Sequence, residues 1–102
     1  MTTSEAPTRS LHDLMAMVGY LLLRWGEVER LLDGKRLPPS LGHLQQRRNQ
    51  LCHGMVSASA PPGQEPFVVT SSDGEMVTHT YTDLDDAIRE LEGLIRSATL
   101  LG

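Results

Sequence analysis

The sequence has little cysteine, few aromatic residues and no long apolar run. Its 102 residues include one cysteine, and aromatic residues make up 4%. The single cysteine, Cys52, excludes an intramolecular disulfide and a cysteine-based zinc site, which favours a reducing, cytoplasmic location. No apolar run approaches the ~20 residues that a membrane-spanning helix requires, so we expect no membrane partner. A chain of this length has material for one domain with a thin core.

Positive charge is also scarce. Nine lysines and arginines face thirteen aspartates and glutamates, which gives a formal net charge of -4 at pH 7. This balance excludes a domain that holds duplex nucleic acid through its overall charge. Any chemistry on nucleic acid therefore has to depend on a local basic cluster.

Short polar signals divide the first half of the chain. Residues 1–9 are predicted to be a disordered N-terminus, and residues 10–102 a single domain. Ser10, with Asp13 three residues later, forms a capping-box pattern that predicts the start of a long helix. Gly34 and the prolines after it predict where this helix ends.

The first helix carries two neighbouring apolar stripes. Their members, spaced at three and four residues, are Leu11, Met15, Val18, Leu22, Trp25 and Leu32 in one stripe, and Leu14, Met17, Leu21, Val28 and Leu31 in the other. Together the two stripes make the helix apolar around more of its circumference than a single contact with the core would cover. We therefore expect a homodimer in which Leu14, Met17 and Leu21 pack against a second copy of the chain, and in which the outward side of the second predicted helix belongs to the same interface.

The middle of the chain is predicted to contain a second, shorter helix. Ser40 is expected to cap this helix, which would span residues 41–53 and end at Gly54 in the left-handed conformation. Residues 57–65 are rich in serine, alanine, proline and glycine, and they are predicted to form a loop.

The remaining sequence predicts a hairpin and a C-terminal helix. Asp73 and Gly74 separate two segments rich in β-branched residues, which is a strong hairpin signal. Thr82 with Asp85 repeats the capping-box pattern in front of a regular apolar stripe. The predicted fold class is therefore mainly α, a small helical bundle with a β-hairpin before the C-terminal helix.

The densest polar segment lies on the second predicted helix. At 100° per residue, Arg48 projects into the apolar stripe of this helix, whereas Asn49 and His53 project together to the outward side. On the first helix, Glu29 occupies a position where the stripe predicts an apolar residue. We therefore predict that Arg48 is the structural partner of Glu29, because a guanidinium can satisfy a buried carboxylate with two hydrogen bonds.

The segment Arg48-Asn49-Gln50-Leu51-Cys52-His53-Gly54 resembles the signature of the HEPN superfamily, in which an arginine and a polar residue precede a histidine near a helix end. The resemblance implies a compact helical homodimer and, in active members, a metal-independent ribonuclease that needs no cofactor. It implies that Arg48 stabilises the negative charge of the phosphate, that His53 transfers a proton, and that Asn49 is the polar residue after the arginine. We add Arg47 as an RNA contact. Met55 stands where one toxin branch of the superfamily has a tyrosine.

Two functional hypotheses follow. The first is a homodimeric endoribonuclease of the toxin or defence type, with an RNA substrate and a neutralising protein partner. The alternative is a non-catalytic dimeric interaction or nucleotide-binding module. In that case Arg48 serves only its ion pair with Glu29, and His53 interacts with the last carbonyls of its helix.

Several other side chains are predicted to have structural roles. Trp25 is expected in the core or in an interface, and Cys52 is expected to be a buried, inert thiol beside Leu51. The spacing of the histidines outside the signature does not fit a set of metal ligands, so no metal site is expected. Those histidines are His12, His43 and His79.

Overall fold

The computed structural model of the chain describes residues 9–101, with side-chain detail as far as residue 98. The predicted disordered N-terminus, apart from residue 9, lies outside the described residues. In chain order the elements are α1 (Leu11–Leu32), a 3-10 turn (Pro39–Leu41), α2 (Gly42–His53), β1 (Met55–Ser59), β2 (Phe67–Ser72), β3 (Glu75–Thr80) and α3 (Tyr81–Leu101). The three strands form one antiparallel sheet in the order β1-β2-β3.

This architecture is an α+β fold, so the prediction of a mainly α bundle with a hairpin is wrong. The additional strand, β1, begins directly after α2 and occupies part of the predicted loop. It pairs with β2, for example Ala58 with Val68, and its register shifts between Met55 and Ser57. β1 is an edge strand and is mostly exposed, so neither of its sides has to be apolar throughout. Its sequence therefore lacks the alternation of apolar and polar residues that usually indicates a strand.

The predicted start of α1 is confirmed. The Ser10 hydroxyl accepts a hydrogen bond of 3.0 Å from the Asp13 backbone N–H, and the Asp13 carboxylate accepts one of 2.9 Å from the Ser10 N–H. The helix ends with Asp33 at φ 51°, followed by Gly34 at φ 78°. The left-handed turn thus begins one residue before the glycine that predicted it.

The ends of α2 differ from the prediction. Its first turn has no side-chain cap from Ser40, because a 3-10 turn leads directly into the helix. Gly54 has φ -126°, which is not left-handed. A Cβ atom at this position would lie 2.6 Å from the backbone oxygen of Ser71. The Ser71 N–H also donates a hydrogen bond of 2.8 Å to the Gly54 oxygen, so the glycine permits the close approach of β2.

The predicted hairpin is confirmed. Asp73 and Gly74 connect β2 and β3 with φ values of 53° and 81°, and a type I′ turn requires positive φ at both central residues. The capping box of α3 lies two residues before the predicted one. The Thr80 hydroxyl accepts a hydrogen bond of 3.0 Å from the Asp83 N–H. Thr80 is the last residue of β3, so the strand continues directly into the helix.

The core lies where the three helices meet the sheet. Its buried apolar residues are Leu14, Val18, Leu21, Trp25, Val28, Leu41, Leu44, Leu51, Val68, Leu84, Ala87, Ile88 and Leu91. The core position predicted for Trp25 is confirmed. The expectation that Leu14, Met17 and Leu21 face a second copy is wrong. Leu14 and Leu21 are at most 1% exposed within one chain, and Met17 is partly buried against the same core. In the described part of the chain, no helix is long and apolar enough to cross a bilayer.

Candidate functional site

A polar groove lies between the outward side of α2 and the turn that joins β2 to β3. It has a volume of about 680 Å³. Its residues are Gly42, Gln45, Gln46, Asn49, Gln50, His53, Gly54, Ser71, Ser72, Asp73 and Glu75. Carboxamides and an imidazole form the helical wall, and hydroxyls and carboxylates form the opposite wall. Of the described residues that line this groove, none is a lysine or an arginine.

Asn49 and His53 both line the groove from α2, as their spacing on one helix predicts. Both side chains are exposed. Within the described chain, His53 has no hydrogen-bond partner, so its imidazole is open to a ligand. The alternative interpretation, in which His53 interacts with the last carbonyls of α2, therefore has no contact to support it.

Arg48 is half-buried and directs its guanidinium to its neighbour in sequence. Its Nη1 donates a hydrogen bond of 2.8 Å to Oδ1 of Asn49. Because a guanidinium has only donors, it fixes the oxygen of the Asn49 carboxamide and leaves the amide nitrogen for other partners. Arg48 thus contacts the groove wall through Asn49 without lining the groove itself.

The predicted pairing of Arg48 with Glu29 is wrong. Glu29 is exposed, and no ion pair joins it to Arg48 among the described residues. The reason lies in where the buried side of α1 ends. Its buried residues come from both predicted stripes and are Leu14, Val18, Leu21, Trp25 and Val28. Glu29 follows Trp25 by one turn, at the edge of the buried side, where it lines an open cavity with Lys35. Its carboxylate is exposed there and is hydrated, so it needs no cation.

Arg47, the predicted RNA contact, is half-buried and directed at the sheet. Its Nη1 lies 2.8 Å from Nδ1 of His79 on β3. This guanidinium therefore takes part in joining α2 to the sheet, and Arg47 does not line the groove.

His79 and Thr70 form a buried polar pair that the sequence prediction missed. His79 is fully buried and Thr70 is 1% exposed, and the Thr70 hydroxyl lies 2.9 Å from Nε2 of His79. Because Arg47 donates to Nδ1, the network assigns the proton of the neutral ring to Nε2, which donates to Thr70. Burial lowers the pKa of His79, the Arg47 charge lowers it further, and the Asp83 charge acts in the opposite direction. The sequence did contain a signal for this buried position. Side chains alternate between the two sides of a strand, so His79 lies on the same, inner side of β3 as Val77.

Cys52 is exposed, so the expected buried thiol is wrong. It lies 100° around α2 from Leu51, one of the two buried apolar residues of that helix, which is enough to turn its sulfur away from the core. Among the described residues, no group of three or more histidine, cysteine, aspartate or glutamate side chains is arranged to hold a metal ion.

Comparison of the chain with protein-family models, with curated proteins and with solved structures gives no match. The groove thus has to be interpreted from its own chemistry. Its residues supply hydrogen-bond donors and acceptors, an imidazole and two carboxylates, and an arginine lies beside it.

Proposed function

We propose that the protein is a metal-independent endoribonuclease of the toxin or defence type, which binds single-stranded RNA in the polar groove. The observation that carries this proposal is the position of Asn49 and His53 on one groove wall, with Arg48 hydrogen-bonded to Asn49. These are the three residues to which the HEPN resemblance assigns a role. The carboxylates on the facing wall add a second type of acid–base group.

The reaction proposed is attack of an RNA 2′-hydroxyl on the adjacent phosphorus. A bond forms between the 2′-oxygen and phosphorus, the bond to the 5′-oxygen breaks, and the products carry a 2′,3′-cyclic phosphate and a 5′-hydroxyl. The carboxylate of Asp73 or Glu75 accepts the 2′-hydroxyl proton, and protonated His53 donates one to the departing 5′-oxygen. Arg48 balances the extra negative charge of the five-coordinate phosphorus.

The lining of the groove favours a nucleobase as the group that enters it. Carboxamides form hydrogen bonds with base edges, and the α2 wall carries four of them. Carboxylates repel a phosphate but accept hydrogen bonds from base amino and imino groups. The base therefore lies in the groove, and the phosphate lies at the rim beside Arg48.

The activity is tested with purified protein and a defined single-stranded RNA in EDTA. We expect fragments that end in a 2′,3′-cyclic phosphate, because the proposed chemistry uses only side chains. RNA that remains intact over a range of sequences, in a preparation whose folding is verified, would contradict the endoribonuclease proposal.

A non-catalytic nucleotide-binding module is the second candidate. The absence of lysine and arginine from the described groove lining favours it, because two carboxylates oppose the approach of a polyanion. This candidate predicts that nucleoside monophosphates bind in the groove while RNA stays uncut. Cleavage with the expected ends would exclude it.

We also propose that the protein is a homodimer, with a contact surface that differs from the predicted one. We define the outer face of α1 as the side centred on Met15, Gly19 and Gly26. It also carries Leu11, Leu22 and Leu23, of which Leu22 packs partly against the core. Leu11, Met15 and Leu23 are exposed, and a Cβ atom at Gly19 or Gly26 would meet open space.

This outer face is complementary to itself in reversed direction. If two copies of α1 cross antiparallel about an axis between residues 20 and 21, Met15 of one copy faces Gly26 of the other. Leu22 then faces Gly19 in the same way, so that bulky side chains lie over glycines on both halves of the interface. The groove is built within one chain, so the dimer is not needed to assemble it.

Met15→Glu should convert the dimer into folded monomers, because it places a charge against the apolar surface around Gly26 of the other copy. Sedimentation equilibrium at micromolar concentration measures the effect. Leu31→Glu is the matched control, since Leu31 is 44% exposed but lies on another side of α1. A monomeric unmodified protein, or loss of the dimer in Leu31→Glu as well, would contradict the proposed interface.

A further inference from the structure

The buried contact between Arg47, His79 and Thr70 joins three elements of the fold. Arg47 belongs to α2, Thr70 to β2 and His79 to β3. The ring of His79 bonds on one side at 2.8 Å to the guanidinium and on the other at 2.9 Å to the hydroxyl. Since α2 also carries Asn49 and His53, this contact positions one complete wall of the groove.

We propose that His79 is a pH-sensitive switch that holds α2 on the sheet only while its ring is neutral. In the neutral form, Nδ1 has the lone pair that accepts the hydrogen bond from Arg47. Protonation of Nδ1 removes that acceptor and places a second positive charge beside the guanidinium, inside the protein. The Arg47 contact is then lost, and α2 moves away from β3.

The other charged groups near the ring do not compensate for this repulsion. From α3, Asp83 attracts a protonated His79, but its carboxylate accepts a hydrogen bond of 2.9 Å from the Thr80 N–H and stays at the helix start. His43, Asp86 and Glu90 line a cavity of about 140 Å³ that Arg47 also lines. His43 is hydrogen-bonded to Glu90 at 3.0 Å, and Asp86 and Glu90 are both exposed, so solvent screens their charges from the buried ring. Burial of His79 therefore dominates.

The direction of the pH effect follows from the lowered pKa of His79. When α2 is released, the ring of His79 is exposed to solvent and has the ordinary histidine pKa of about 6.5. The docked state binds a proton only at lower pH. Docking is therefore at full strength above about pH 6.5 and weakens as the pH falls from there toward the folded-state pKa. In acid, the α2 wall separates from the turn that carries Asp73 and Glu75.

Hydrogen exchange of the α2 amides tests the switch without any RNA. After correction for the intrinsic exchange rate, protection of α2 should fall by up to tenfold per pH unit between about pH 6.5 and the folded-state pKa. His79→Gln should abolish this dependence, because its amide can accept from Arg47 and donate to Thr70 but does not titrate. His12→Gln, a change at an exposed histidine on α1, should retain the unmodified profile.

A second measurement applies even if His79→Gln does not fold. In the unmodified protein, the ring resonances of His79 should change over the same pH range in which α2 loses protection. Constant α2 protection down to about pH 5, or titration of His79 while α2 stays protected, would overturn the proposal. Loss of the pH dependence in His12→Gln would also overturn it.

Discussion

Replacement of His53 by alanine should reduce RNA cleavage by about 10²–10⁴-fold, the range typical for loss of a general acid or base. The proposed reaction requires a proton for the departing 5′-oxygen, and His53 is the only imidazole among the described groove residues. The side chain is exposed and lies outside the core, so the variant should keep its melting temperature. The measurement is the initial rate of fragment formation in EDTA.

His12→Ala is the matched control for this experiment. It removes another exposed histidine, far along the chain on α1, and should leave the rate unchanged. A copurifying nuclease would make all three proteins cut equally. Equal rates for His53→Ala and the unmodified protein would therefore remove His53 from the mechanism and leave nucleotide binding as the function to test.

Gly54→Ala should destabilise the fold by about 1–3 kcal/mol, the usual cost of forcing extra atoms into a packed position. Its Cβ atom would lie 2.6 Å from the Ser71 oxygen and 3.2 Å from the Gln50 oxygen, and both are backbone atoms that cannot rotate away. Relief requires β2 to separate from the end of α2, which breaks the hydrogen bond between Ser71 and Gly54. Thermal unfolding should show a fall in melting temperature of roughly 4–8 °C per kcal/mol.

Gly93→Ala provides the control for this prediction. Gly93 lies inside α3, and a Cβ atom there would meet open space, so alanine should stabilise the helix by about 0.5–1 kcal/mol. The two glycine variants should thus shift the melting temperature in opposite directions. An unchanged melting temperature for Gly54→Ala would mean that β2 does not approach α2 as closely as the structure shows.

The features predicted correctly are those encoded within a few residues. The capping box of Ser10 and Asp13 and the turn at Asp73 and Gly74 depend only on local backbone geometry. The strand β1 depends instead on β2, which begins eight residues after β1 ends, and its exposed position as an edge removes the usual alternation of apolar residues. Pairing partners of this kind are not contained in a local pattern.

The same distinction applies to the site. The common side of Asn49 and His53 follows from helical geometry alone, and the structure confirms it. The core covers residues of both apolar stripes on α1, and periodicity does not show that this covered side ends before Glu29. Asp73 and Glu75 enter the groove only because the turn between β2 and β3 packs beside α2, a tertiary contact without a sequence signature.

The most direct test of the proposed RNA site is a titration of the isotope-labelled protein with a single-stranded RNA of about eight nucleotides. Backbone and side-chain amide resonances report where the RNA lies. We expect the changes to cluster at the groove, above all at the side-chain amides of Gln46, Asn49 and Gln50 and at the backbone of Ser72 and Asp73. Changes confined to other surfaces, or none at saturating RNA, would contradict the assignment of the groove as the RNA site.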